Sequence, residues 1–253
     1  MSRQQSYDST EASAHYHQKA RETAIKAHLG MIDRSKQLFG ADVRNWPISA
    51  RMQLNFELPI TLELSTEEGF YYIELPVAPL MAVSPHTHQI LQNHPKTECI
   101  PFHAPSITPT SIQNISHWLW HLCTHEKISN LGVPLYRGAS WQDLLLLRMT
   151  ALQLDMSLYL TPLEQYYITN MSNRALDLDE ARIIAQSACS NNDVLLVAFA
   201  NCLGYLVRYG KLLEEVEMRL LRVLGGEEWS GLVGSVREEG VRRLARQSLG
   251  LFE

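Results

Sequence analysis

Three histidines recur at a spacing of four residues in the stretch ISHWLWHLCTH, which runs from Ile115 to His125. On a helix, residues four apart lie on one face, so His117, His121 and His125 would form a row. Imidazoles at positions i and i+4 are a sound chelating pair for zinc, as in the H-E-x-x-H helix of metalloproteases. That motif also needs a glutamate beside the first histidine as general base, and Trp118 occupies this position. We therefore favour an exposed polar face over a catalytic zinc site.

The surrounding region, 86–125, is rich in side chains that bind metals. It contains most of the histidines and two of the cysteines, namely His86, His88, His94, His103, His117, His121, His125, Cys99 and Cys123. Their spacing does not match the ligand spacings typical of zinc sites, so we predict no metal ligand. A metal-dependent hydrolase that uses this region is the alternative interpretation.

A helix over 111–124 would divide its residues into two faces. An apolar stripe falls within about 60° of one line, and it consists of Ile112, Ile115, Leu119 and Leu122, with Trp118 beside it. The three histidines fall on the opposite face. Because successive helix positions diverge by about 100°, Trp120 points away from Trp118, and we expect it to be exposed. An exposed tryptophan is more often a protein contact than a catalyst, so Trp120, His117 and His121 are candidate partner-binding residues.

Motifs of several large enzyme classes are absent from the sequence. It has no G-x-S-x-G nucleophile elbow, no G-x-x-x-x-G-K-[ST] phosphate loop and no G-x-G-x-x-G dinucleotide motif. We therefore expect a protein that is not an enzyme, with no catalytic residue and no cofactor.

Composition narrows the class of partner and the compartment. The 253 residues are 45% hydrophobic and carry a net charge of −5, which argues against broad binding to nucleic acid or membrane surfaces. The polar opening MSRQQSYDSTEAS does not resemble a secretory signal, and the longest apolar run, VLLVAFA, is too short to span a bilayer. The four cysteines form no C-x-x-C pair. We expect reduced thiols in an intracellular protein of the nucleus or cytoplasm.

The first part of the chain is predicted to be helical. Residues 1–9 are expected to be disordered, and a helix is expected from Thr10 to Phe39 within an N-terminal helical segment, 10–50. Ile25, Leu29 and Ile32 share one face of this helix. The stripe packs either on a second copy of the chain or on the chain's own core, and the first option makes these three residues candidate partner contacts.

Strands follow this helical segment. LPITLEL alternates apolar residues at period two, and FYYIEL returns after the turn STEEG, so the two are predicted to form a hairpin. A third short strand is expected at 98–102. The chain is therefore predicted to be α+β, with a short mixed sheet packed with helices and followed by an all-α extension.

Helix start signals are clear in the second half. Ser140 and Asp143 form a capping box. Thr161 is predicted as an N-cap, with Pro162 at the first helical position and Glu164 at the third. Further helices are predicted from Asp177 and over 192–210, the latter nearly apolar all round and therefore buried.

The order of these elements resembles a BTB/POZ domain, especially the divergent single-domain versions found in fungi. The residues that carry the resemblance are the hairpin ITLEL and FYYIEL, the helix and Ser-Pro turn in APLMAVSPHTHQIL, the strand ECIPF, the helix SIQNISHWLWHLC and the segment WQDLLLLRMTALQLDMSLYL. The resemblance places the domain at 51–174 and a C-terminal helical extension at 175–253.

This resemblance implies a non-catalytic interaction module that acts as an adaptor or scaffold in a multiprotein complex. Some members of the family form homodimers through N-terminal elements, and some recruit a cullin through the helices after the third strand. A ubiquitin-ligase substrate adaptor and a dedicated complex subunit without a ubiquitin role are therefore both open.

Overall fold

The computed structural model describes residues 4–54, 58–66, 69–102, 107–132, 140–171, 178–188 and 193–208. Its helices and strands are α1 (Gln4–Phe39), α2 (Ile48–Met52), β1 (Pro59–Thr66), β2 (Gly69–Pro76), α3 (Val77–Val83), α4 (Pro85–Asn93), β3 (Cys99–Phe102), α5 (Pro109–Thr124), α6 (Trp141–Gln153), α7 (Thr161–Met171), α8 (Leu178–Ser187) and α9 (Val194–Arg208). Short 3-10 turns lie at Val43–Asn45 and Ser157–Tyr159.

The chain forms two compact units. The first unit comprises Met1–Leu131 with Thr150–Tyr159, and the second comprises Gly132–Met149 with Leu160–Glu253. Helix α6 contributes residues to both units, so this division cuts across the range 51–174 that the resemblance implies. Of the predicted C-terminal extension, 175–253, residues 209–253 lie outside the described residues.

The sheet in the first unit is mixed, and the predicted α+β class is confirmed at this level. Its strand order is β2-β1-β3, with β2 antiparallel to β1 and β3 parallel to it. Alternation on β1 buries Ile60, Leu62 and Leu64 on one face, as the period-two pattern predicts. The hairpin turn returns through Gly69, whose φ of 136° is accessible to glycine and strained for other residues.

Helix α1 begins earlier than predicted and ends where predicted. It starts at Gln4, and residues 1–3 lie outside the described part; the disorder expected at residues 1–9 stays a prediction. No glycine or proline precedes Gly30, so nothing local stops the helix from extending toward the N-terminus. At the other end Gly40 has a φ of 87° and its N–H donates to the Lys36 carbonyl over 2.9 Å, which closes the last turn.

The apolar stripe of α1 is buried within the chain. Ile25 and Ile32 are 0% exposed and Leu29 is 8% exposed, and α1 packs against α3 and α4. All residues of α3 are buried, and α1 packs on this helix. The structure thus selects packing on the chain's own core, and it corrects the assignment of these three residues as partner contacts.

Helices of the second unit show one predicted cap and one corrected cap. Ser140 and Asp143 form the predicted capping box: the Ser140 N–H donates to the Asp143 carboxylate over 2.9 Å and the Asp143 N–H donates to Ser140 Oγ over 3.1 Å. Helix α7 instead receives its first backbone bond at the Leu160 carbonyl, from the Glu164 N–H. Leu160 is therefore the N-cap rather than Thr161.

Helix α9 has an exposed side, in contrast to the prediction of a helix buried all round. Leu195 and Phe199 are fully buried, whereas Val194 and Tyr205 are about half exposed. Among the described helices, none combines the length and the apolar character needed to cross a membrane.

Candidate interaction surface on helix α5

Helix α5 is fixed in the first unit by its N-cap and its apolar stripe. Thr108 Oγ1 accepts the Ser111 N–H over 3.1 Å, and Pro109 occupies the first helical position. The predicted stripe is confirmed, since it is buried throughout: Ile112, Ile115, Trp118, Leu119 and Leu122. This face packs against α2, α3 and β2, so the opposite face is presented from a rigid base.

The C-terminal end of α5 is held by Arg51 of α2. The buried Arg51 guanidinium donates to the carbonyls of Leu122, His125 and Glu126, the last two over 2.9 and 3.3 Å. A cation is favoured here because the helix dipole is negative at its C-terminus. Burial lowers the pKa of Arg51. These bonds satisfy carbonyls that the end of a helix otherwise leaves without partners.

The exposed side of α5 carries one tryptophan and three imidazoles in mutual contact. We name His117, Trp120, His121 and His125 the α5 aromatic face. The His117 and His121 ring centroids lie 4.9 Å apart, and those of His121 and His125 lie 4.2 Å apart. Trp120 contacts His121 and His125 edge-on, at 5.3 and 5.1 Å, and is 46% exposed.

Desolvation and neighbouring imidazoles disfavour the charged form of His121 on this face. Desolvation, with His125 and His117 as charged neighbours, lowers the pKa of His121 from its ordinary value. The Thr124 hydroxyl donates to the Trp120 carbonyl over 2.8 Å, so its oxygen accepts at 2.8 Å from His125 Nδ1. This arrangement assigns the proton of neutral His125 to Nδ1 and leaves Nε2 as an acceptor.

The rest of the His-rich region 86–125 is dispersed. His88 lies 3.3 Å from Asp33 of α1, and burial lowers its pKa. The Cys99 thiol points at Glu63, 3.7 Å away, and burial raises the pKa of Cys123 to about 12, so that this thiol stays protonated. Within the described ranges, no group of three or more His, Cys, Asp or Glu side chains is arranged to hold a metal ion. His103 lies outside them.

A buried ionic cluster in the second unit was missed by sequence reasoning. Arg148 contacts Glu164 and Asp193 at 2.7 Å each and donates to Ser187 Oγ over 3.1 Å. Burial opposes the charge of Arg148, but the two carboxylates outweigh it, so the pKa of Arg148 is raised. Asp193 Oδ1 also accepts the Leu195 N–H at the start of α9. The cluster links α6, α7, α8 and the residue that precedes α9.

A second exposed aromatic surface lies on the hairpin. Phe70 and Tyr72 of β2 are 62% and 65% exposed. Three consecutive aromatic residues, as in FYY, necessarily place at least one on each face of a strand.

Comparisons with protein-family models, with curated proteins and with solved structures gave no match for this chain. The α5 aromatic face unites three of the predicted contact residues, Trp120, His117 and His121, on one exposed patch.

Proposed function

We propose that this chain is a non-catalytic protein–protein interaction module that acts as an adaptor or scaffold subunit of a multiprotein complex. The observation that carries the proposal is the exposure of Trp120 at the centre of the α5 aromatic face. Tryptophan is enriched among residues that dominate binding energy at protein interfaces. The helix beneath it is capped at both ends and buried along its other face, so little ordering is needed for a partner to bind.

A BTB/POZ-like class is supported by the order of elements. The hairpin of β1 and β2 is followed by two short helices that meet at a Ser-Pro turn, where Ser84 Oγ accepts the Thr87 N–H over 3.0 Å. Strand β3 then pairs parallel to β1, and α5 follows. This is the succession that the resemblance implies, and on it we base the proposal of a nuclear or cytoplasmic adaptor.

The first experiment is affinity purification of the tagged chain from its native cells, with wild type compared with Trp120→Ala. We expect a fixed set of partner chains with wild type and a loss of at least one of them with Trp120→Ala, because truncation of a central aromatic contact costs about 2 kcal/mol or more. Leu158→Ala is a matched control, since Leu158 is 47% exposed and belongs to the same unit. Equal recovery of every partner by Trp120→Ala would remove the α5 aromatic face from the proposal.

The co-purified chains also separate the two adaptor alternatives. A cullin in near-equal amount identifies a ubiquitin-ligase substrate adaptor. A fixed set without a cullin identifies a structural subunit. The mass of the purified chain in solution distinguishes a monomer from a homodimer.

A metal-dependent hydrolase is the second candidate, and the close approach of His121 to His125 favours it. Imidazoles four residues apart on a helix can share a zinc ion. Metal analysis of the purified chain tests this: stoichiometric zinc, with an activity lost on chelation, would replace the interaction module with an enzyme.

A further inference from the structure

The sheet presents its outer face away from the core. The register pairs Thr61 with Glu74, Glu63 with Tyr72 and Ser65 with Phe70, and none of these side chains is buried. We name these six residues the hairpin outer face. On the other side of the same strands, Leu62, Leu64 and Leu75 are buried, Ile73 is half-buried and Tyr71 is 36% exposed. The two most exposed aromatic rings of β2, those of Phe70 and Tyr72, therefore lie on the outer side of the hairpin.

Strand β2 is also an edge of the sheet. In the described part of the chain its strand partner is β1, and β1 lies on one side of it. In an antiparallel pair, backbone groups at alternate positions point away from the partner strand, so half of those in β2 point outward. An eight-residue edge strand of this kind is a template for another extended segment. Proteins often block such edges with lysine, and β2 has none.

Charge decides what kind of segment fits. From residue 52 to residue 95 the sequence contains five glutamates and no aspartate, lysine or arginine. This segment accounts for the whole net charge of −5, since acidic and basic residues balance elsewhere in the chain. A second copy paired through β2 would bring two such acidic hairpins together, which like-charge repulsion opposes. A basic segment complements them.

We infer that the edge of β2 binds an extended, basic peptide of a partner protein as an added strand of the sheet. Alternate residues of such a peptide lie beside Tyr72 and Glu74 on the hairpin outer face, and the intervening residues lie beside Ile73 on the other face. Lysine or arginine at the first set of positions can stack on the Tyr72 ring and pair with the carboxylate of Glu74 on the same strand. Apolar residues suit the second set, because Ile73 is half-buried. The recognised pattern is a basic residue alternating with an apolar one.

This inference concerns a surface other than the α5 aromatic face, so it can fail without affecting the proposed function. The test uses the full chain and a fluorescein-labelled peptide of eight residues, the length of β2, that alternates lysine and valine. A peptide of the same composition, with the lysines and valines in two blocks, has equal charge and lacks the alternation. We expect the alternating peptide to bind about tenfold more tightly in fluorescence anisotropy at physiological salt.

Two variants test the hairpin outer face directly. Glu74→Lys reverses a charge and Tyr72→Ser removes a ring. Because both side chains are exposed, we expect each variant to fold, and an unchanged melting temperature would verify this. We expect each variant to weaken binding of the alternating peptide about fivefold or more. Tyr16→Ser is the control, because Tyr16 is 73% exposed on α1, and it should leave the affinity unchanged.

Backbone pairing has a separate readout. Bound peptide should slow amide hydrogen exchange within β2, since added-strand hydrogen bonds protect the outward N–H groups. Equal affinity for the two lysine peptides, or unchanged exchange in β2, would reduce the contact to charge attraction and overturn the inference. A dimer of the chain that Tyr72→Ser dissociates would also overturn it, because the occupant of the edge would then be a second copy.

Discussion

At the scale of single residues, the strongest polar contacts lie in the second unit. Arg148 and Asp193 are almost fully buried and face one another at 2.7 Å. Removal of one partner from a buried pair leaves a charge without compensation, which is costlier than the loss of the attraction itself. The pair of Arg182 and Asp179, at 2.8 Å, lies at the surface, where exposure to water makes its contribution to stability small.

Replacement of Arg148 by methionine should therefore destabilise the chain strongly. We expect Arg148→Met to lower the free energy of unfolding by about 3–5 kcal/mol, measured by urea denaturation. Arg182→Met is the matched control and should cost about 1 kcal/mol or less. A similar loss in both variants would show that burial does not set the strength of the Arg148 cluster.

The imidazole row of α5 should show its coupling in a titration. The pKa of His121 is lowered by desolvation and by its neighbours His125 and His117, so the unfolded chain takes up this proton more readily than the folded chain. Stability from this group is therefore present above the ordinary histidine pKa of about 6.5 and is lost as the pH falls below it. We expect the NMR midpoint of His121 to lie below the ordinary value.

A substitution in the row identifies the source of this shift. We expect His125→Asn to raise the His121 midpoint, because it removes the larger of the two charged neighbours. The exposed His86 on α4 supplies the control, and His86→Asn should leave the midpoint where it was. An unchanged His121 midpoint in His125→Asn would contradict electrostatic coupling between the two imidazoles.

At the scale of elements, the α1 stripe distinguishes a core helix from a dimer interface. Ile32 is fully buried, whereas Leu38 on the same helix is 75% exposed. We expect Ile32→Ser to lower the free energy of unfolding by about 2–5 kcal/mol, while Leu38→Ser stays near wild type. The mass in solution under native conditions should not change in either variant. A dimer lost in Ile32→Ser at unchanged stability would restore the interface interpretation.

Local patterns predicted the elements that depend on near neighbours. The two-residue alternation found β1, the helical wheel found the buried stripe of α5, and the Ser140 capping box was correct because its partners lie three residues apart. The N-cap of α7 lies one residue before the predicted one, and Glu164 has a partner that the pattern did not include. The Glu164 carboxylate binds Arg148, 16 residues away, and no pattern within a helix start contains that partner.

The candidate surface was predictable to the same extent. Exposure of Trp120 follows from helix geometry, and the structure confirms it. Arg51 was not found because it lies 71 residues before the Leu122 carbonyl that it binds, and only the packing of α2 on α5 brings the two together. The hairpin outer face was missed because a strand pattern identifies two faces and does not say whether the second is covered.

At the scale of the whole molecule, the proposed contact surfaces lie in one compact unit and the buried ionic cluster lies in the other. The first unit holds the sheet, the α5 aromatic face and the hairpin outer face, and the second holds the Arg148 cluster. Both proposed contact surfaces therefore belong to the unit in which the resemblance to a BTB/POZ domain begins. An adaptor with two distinct surfaces on one unit can hold two partners at once.

The buried thiol of Cys123 has a practical consequence for studying such assemblies. Because it is protonated and 1% exposed beneath the α5 aromatic face, an alkylating reagent reaches it only when the helix transiently opens. The rate at which Cys123 is labelled, measured by mass spectrometry of its peptide, therefore reports how often the helix opens. A partner bound to α5 should slow this labelling, so the native cysteine can report whether the surface is occupied.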